Sequence, residues 1–298
     1  MGGARGCGAA GGSADGLAGD GFPAGPPPDL ESALPWPSGA MSLTSEGDAD
    51  APIGGADAGV VVASYTAGDS AIADSAEYNI EIDFAGTSWT EALQAAFIAA
   101  ADYLVTFIVG DVPDALVRSG GGSHRVDDMR IDATLAEIDG PGGVLGQAGP
   151  TALRIGSFLP AEASMTFDAA DAEALLATGQ WSSVILHEMM HSLGLGTIWN
   201  LAGLVSQPAS GEAYYMGANG SAWFSLLYPE LAAVTGGRVP VETDGGAGTA
   251  FAHWDEDAFG PELMTGYLNG GTENSLSNLS IGSLADLGYR LTGEYMLA

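Results

Sequence analysis

The stretch VILHEMMHSLGLGTIW, residues 184–199, carries two histidines four apart with a glutamate directly after the first. In a helix, positions i and i+4 project from one face, so His187 and His191 can both turn an imidazole nitrogen toward one ion. Glu188 stands one step round the helix, within reach of a water on that ion without binding the ion itself. Two neutral nitrogen donors and a carboxylate base are the working parts of the His-Glu-x-x-His pattern, which in five residues also arises by chance. The helix is read as spanning 181–194. Gly194 closes it, because the chain must turn sharply after His191 and glycine enters a left-handed cap without a Cβ clash.

A hydrolytic zinc takes three protein ligands and keeps one position for water or substrate, so a third donor is needed. The chain has four histidines. His124, in GGSHRVDD, reads as an exposed loop residue among solvated charges. His253, in TAFAHWDEDAFGPELMTG, follows the glycine-rich GGAGTA (245–250) and precedes Trp254. A flexible approach and an aromatic neighbour suit a ligand delivered from a distance, but position alone leaves the role of His253 open. GGAGTA is not a phosphate loop, since the chain has no lysine to complete one, and it reads as the hinge that carries His253 inward.

HEMMHSLG followed by the distant HWDEDAFGPELMTG resembles the leishmanolysin-like zinc metallopeptidases of the metzincin clan, in particular their cysteine-poor bacterial members. In most metzincins the third histidine follows the glycine by three positions, where this chain has Thr197. The leishmanolysin-like branch places an insertion there, here 198–252, and ends it in a His-Trp pair followed by Glu-Leu-Met. His253, Trp254, Glu262, Leu263 and Met264 match in order. IDGPGGVLGQAGP, MTFDAAD and SIGSLADLGY are similar to flanking segments of the family, so the resemblance covers roughly residues 75–295.

The resemblance implies an α+β, zincin-like fold: a mixed twisted sheet with long helices in the N-terminal half, a loop-rich C-terminal half, and the zinc in a cleft between them. It implies one Zn2+ on His187, His191 and His253, Glu188 as general base, and Met264 as the methionine of a Met-turn within 253–267. The implied activity is that of a metalloendopeptidase whose protein or peptide substrate lies along the glycine-rich segment near 142–149. Tyr267 follows Met264 by three, where some metzincins carry a tyrosine two after, and its role stays open. Two rival readings keep the fold: a binding or adhesion module without turnover, and a zinc amidase acting on a non-protein substrate.

Charge limits the partners. With 38 acidic and 7 basic residues the net charge is −31, and every basic residue is an arginine. Such a surface repels nucleic acid and anionic membranes and attracts cations. It is compatible with a saline or calcium-rich exterior, with Ca2+ on some of the aspartates as a further expectation. An extracellular or cell-surface location is expected, although no signal peptide is visible. Cys7 is the only cysteine, so no intramolecular disulfide can form. Cys7 reads either as incidental or as a thiolate switch on the zinc. Nothing in the sequence specifies an oligomeric state.

Residues 1–73, rich in Gly, Ala, Pro and Asp, read as a low-complexity leader apart from the short VVVASY stretch, with the folded domain at 74–298. Alternation in YNIEIDF predicts a first strand. GTSWTEALQAAF predicts a helix with Ser88 and Glu91 as a capping box. The apolar run 92–110 is interrupted by Gln94, Asp102 and Thr106 and reads as a buried helix, not a transmembrane segment. MRIDATLAEID predicts a strand, GVLGQAGP a glycine-rich edge strand with room for another backbone, SMTFD an extended segment and DAADAEALLATG a short helix. From 198 to about 250 loops are expected, with GANGSAWFSLL the strongest helix candidate, and LSIGSLADLGYRL predicts a final helix.

Overall fold

The computed structural model describes residues 41–42, 44–45, 59–69, 71–73, 76–119, 122–206, 211–246, 248–269 and 274–298. Cys7, and with it the switch reading, lies outside them.

Along the chain run strands β1 (Met41–Ser42), β2 (Thr44–Ser45), β3 (Val61–Ala67) and β4 (Ile80–Ala85), then helix α1 (Glu91–Val105). The hairpin β5 (Ala115–Ser119) and β6 (Gly122–Val126) follows, then β7 (Met129–Ala136), β8 (Gly146–Leu153) and β9 (Pro160–Asp168). Helices α2 (Ala169–Ala177) and α3 (Trp181–Ser192) complete the first half. The second half holds β10 (Val205–Ser206), β11 (Ala213–Tyr215), α4 (Ala218–Leu227), α5 (Pro229–Thr235) and β12 (Val239–Val241). It ends in α6 (Glu256–Phe259), β13 (Tyr267–Leu268) and α7 (Asn278–Leu287). The class is α+β around a mixed six-stranded sheet of order β2-β8-β9-β7-β4-β3.

In that sheet β4, β7 and β9 run parallel, β3 pairs antiparallel with β4, and β8 pairs antiparallel with β9 and parallel with β2. One face carries Ile80, Ile82 and Phe84 of β4 and Ala163, Met165 and Phe167 of β9, all buried. Phe97 of α1 and Trp181 at the start of α3 pack edge-on to Phe167, at ring separations of 5.4 and 5.0 Å. Each such pair adds about 0.5–1.5 kcal/mol beyond the area it buries. The Trp181 indole also donates to the Leu93 carbonyl, tying α3 to α1. Helix α3 is thus packed against both the sheet and α1.

The other face is polar. Arg130, Asp132 and Thr134 of β7 alternate with the buried set, beside Glu162, Ser164 and Thr166 of β9, and line a cavity of about 1280 Å³ under the β5–β6 hairpin. His124 sits on β6, bonded to Glu162, and not on the exposed loop expected for it.

Several boundaries differ from the sequence reading. Order reaches into the stretch assigned to a leader: Val61–Ala67 is an edge strand on β4, its outward residues solvent-exposed and therefore without a strong apolar alternation to read. Helix α1 is capped by Thr90, whose side chain accepts from the Leu93 amide, and Ser88 lies before the helix. Its apolar residues Leu93, Ala96, Phe97, Ala100, Ala101 and Leu104 are buried in the core. Among the described residues no helix is long and apolar enough to cross a membrane. Helix α3 ends at Ser192, two residues before Gly194. Residues 198–252 are loop-rich, with the expected helix at Ala218–Leu227, and they also hold the three-stranded sheet β10-β11-β12 and the short helix α5. The strands of that sheet are two or three residues long, too short to show a period.

Strand β8 is not a free edge either. Thr44–Ser45 pairs in parallel with Gln147–Ala148, while Met41–Ser42 pairs antiparallel with Leu268 and Tyr267 of β13. The room left by Gly146 is filled from within: a Cβ there would stand 2.9 Å from the Phe167 ring and 3.2 Å from Cγ of Glu188.

Candidate metal centre

Helix α3 presents His187 and His191 on one face, and the chain after it turns back at once. Gly194 adopts φ 99°, and Gly196 φ 79°, a conformation glycine enters without strain. The Thr197 hydroxyl donates to the His191 carbonyl at 2.8 Å, closing the helix end.

His253 arrives from the far side of the insertion. Strand β12 meets it: the Glu242 amide donates to the His253 carbonyl at 3.0 Å, and Val241 bridges Trp254. Gly245, Gly246 and Gly248 all have positive φ, a conformation glycine enters without strain. Trp254 packs on Trp199 and Tyr215, with ring centres 4.5 and 5.2 Å away, and its indole donates to Ser280 Oγ at 2.7 Å. This aromatic cluster joins the end of the α3 segment, the insertion and α7, and fixes the residue beside His253.

The three imidazoles meet. Their Nε2 atoms are 2.9 Å (His187 to His191), 2.9 Å (His191 to His253) and 3.2 Å (His187 to His253) apart. Each Nδ1 donates to a backbone carbonyl: His187 to Leu263 at 2.7 Å, His191 to Leu195 at 2.8 Å, His253 to Thr249 at 2.9 Å. Those bonds fix the Nδ1–H tautomer, so the Nε2 atoms carry lone pairs and cannot bond one another. Burial holds all three rings neutral: it pushes His187 down to about 3, with His253 adding to the effect, His253 down to about 4, and His191 well below the usual histidine range.

Three buried lone pairs facing one point cost desolvation energy unless something accepts them. A tetrahedral ion with metal–nitrogen bonds of about 2.0–2.1 Å would set the nitrogens about 3.3 Å apart. The observed spacing is close to that, so this buried triad could hold a metal ion.

Glu188 is buried beside the triad, its Cγ against Gly146 of β8. Met264 is fully buried on the turn whose Leu263 carbonyl accepts from His187. Tyr267 belongs to β13, and its hydroxyl lies 3.1 Å from where a Cβ on Gly245 would stand. Glu262 emerges as a further buried residue of the site. Its carboxylate accepts from the Met264 amide, the Ser277 amide and hydroxyl, and the Ser280 hydroxyl. Burial pushes its pKa up, opposed by those four hydrogen bonds. The Glu-Leu-Met match marked the position of Glu262 but not this role.

A separate acidic group, Asp111, Asp127 and Asp128, brings carboxylate oxygens together. Both oxygens of Asp128 are committed to backbone amides of Val112 and Asn79. Acidic groups of this kind are common without an ion, so the cluster is not by itself support for bound calcium.

No family model matches the chain, and no curated protein matches it.

Proposed function

We propose that the chain is a zinc metalloendopeptidase with a metzincin-type fold of the leishmanolysin-like kind, acting outside the cell or at its surface. The observation that carries this reading is the convergence of three Nδ1-anchored histidines, two from a His-Glu-x-x-His helix, with Glu188 packed beside them.

In this reading His187, His191 and His253 hold one zinc, and Met264 lies in the turn beneath the site. Zinc, when bound there, would acidify a water toward a pKa of about 7 and polarise a peptide carbonyl. Glu188 would be the group placed to take a proton from an attacking water and to return it to the leaving amine nitrogen as the C–N bond breaks. The low-dielectric surroundings of Glu188 sharpen both transfers, since bulk water does not compete for the proton. A peptide laid along β8 by strand addition would pass above Gly146 and so above Glu188. On this chain that edge is taken at Gln147–Ala148 by Thr44–Ser45, and substrate must displace it.

Glu188→Ala separates a peptidase from a binding module of the same fold. The expected outcome is unchanged zinc content with casein hydrolysis reduced by about 10²–10⁴-fold, the usual contribution of a positioned general base. Hydrolysis at the wild-type rate would overturn the assignment of Glu188.

A further inference from the structure

The carboxylate of Glu262 is buried and joins three segments that meet at the histidines. Oε2 accepts from the amide of Met264, on the turn that follows α6. Oε1 accepts from the Ser277 amide at 3.1 Å, the Ser277 hydroxyl at 2.8 Å and the Ser280 hydroxyl at 2.6 Å, all at the start of α7. Ser280 in turn accepts from the indole of Trp254, the neighbour of His253. The Trp254 amide donates to the Met264 carbonyl at 3.0 Å, so the same turn is bonded directly to the His253 segment. Between Glu262 and Met264 lies Leu263, whose carbonyl accepts from Nδ1 of His187.

We infer that Glu262 is the positioning residue of the histidine triad: by fixing the Leu263–Met264 turn against α7 and Trp254, it sets the carbonyl that holds His187 in its tautomer and ring orientation. The inference rests on the reading of the triad as a metal site, but its structural half does not need a metal. A ring whose Nδ1 partner drifts loses both orientation and a defined tautomer, and outer partners of this kind change metal affinity by about 10–100-fold.

The donor pattern makes Glu262→Gln a sharp test. Each carboxylate oxygen faces a backbone N–H, Met264 on one side and Ser277 on the other, and backbone donors cannot reverse. A glutamine of the same shape must therefore point its NH2 at one of them, whichever way the amide is flipped. The volume is kept and one side of the clamp is broken.

The experiment measures two quantities on the full chain: the zinc dissociation constant by chelator competition, and the His187 ring-nitrogen NMR signals of the metal-free protein. For Glu262→Gln the expected result is zinc binding weaker by about 10–100-fold and loss of the single Nδ1–H pattern at His187. A folded Glu262→Gln protein with wild-type zinc affinity and an unchanged His187 pattern would overturn the inference. Should Glu262→Gln fail to fold, Ser277→Ala combined with Ser280→Ala removes two hydroxyl donors while leaving the carboxylate and both backbone donors. Both signals should then move in the same direction by a smaller amount, and no movement in either overturns the inference. If wild-type protein binds no zinc while its His187 pattern still depends on Glu262, the metal reading fails and the positioning role stands.

Discussion

Gly196 lies directly against the carbonyl of Ala252: a Cβ on Gly196 would stand 1.9 Å from that oxygen. The turn after the His187–His191 helix and the residue before His253 thus touch backbone to backbone, through a position where only glycine fits. Gly194 differs, since a Cβ there would meet the flexible Ile198 side chain at 2.8 Å, with the strain of a positive φ added.

Gly196→Ala is therefore expected to push the Ala252–His253 segment away and weaken zinc binding by well over tenfold. Gly194→Ala should mainly cost stability, about 1–2 kcal/mol for a non-glycine residue in the left-handed region. Urea unfolding and chelator competition on both variants check this ordering. Equal zinc affinity in the two would show that the Gly196–Ala252 contact does not position His253.

Substrate access gives a second prediction. His187, Glu188, His191 and His253 are all at 0% exposure, so a peptide reaches them only after some part of the chain moves. Met41–Ser42 and Thr44–Ser45 pair with β13 and β8 respectively, linking the strand that follows the Met264 turn to the strand beside Glu188. A tethered competitor acts at an effective concentration of the order of millimolar. Cutting the full chain at a recognition site engineered within 50–56 should raise kcat/KM on a peptide substrate by about tenfold or more. An unchanged kcat/KM after complete cutting would show that the segment does not compete with substrate.

The stability of the fold should depend on pH through Asp128. Burial raises its carboxyl from the ordinary value of 3.8 to about 7, despite the two amides that favour its charged form. Between those values the folded state keeps a proton that the unfolded state has released. Stability contributed through this group is therefore highest at acid pH and declines as pH rises toward 7. Urea midpoints from pH 4 to 8 should fall more steeply for the wild type than for Asp128→Asn, even though the variant is weaker throughout. Parallel curves would remove Asp128 as the cause.

Much of the centre was legible because its signals are local or chemically scarce. The i, i+4 pair fixes one face of a helix, four histidines leave few candidates for a third donor, and the YNIEIDF alternation marks a strand buried on one face. What stayed hidden depends on long-range partners. Val61–Ala67 becomes a strand because β4 offers it an edge, and Met41–Ser42 and Thr44–Ser45 pair with strands far along the chain. Gly196 looks like any glycine until Ala252 is brought against it. Glu262 looks like a surface acid until Ser277 and Ser280 supply its hydrogen bonds. The insertion hid its small sheet because strands of two or three residues carry no period.

The central claim is that one zinc ion on His187, His191 and His253 makes this chain a peptidase, and its most direct test is a zinc titration of chelator-stripped protein read by casein hydrolysis. The expected result is no hydrolysis in the stripped protein, a rise that saturates at one zinc per chain, and no recovery for His253→Ala at the same zinc level. Hydrolysis that survives stripping, or none at any level of zinc in protein whose leader has been cut, would contradict it.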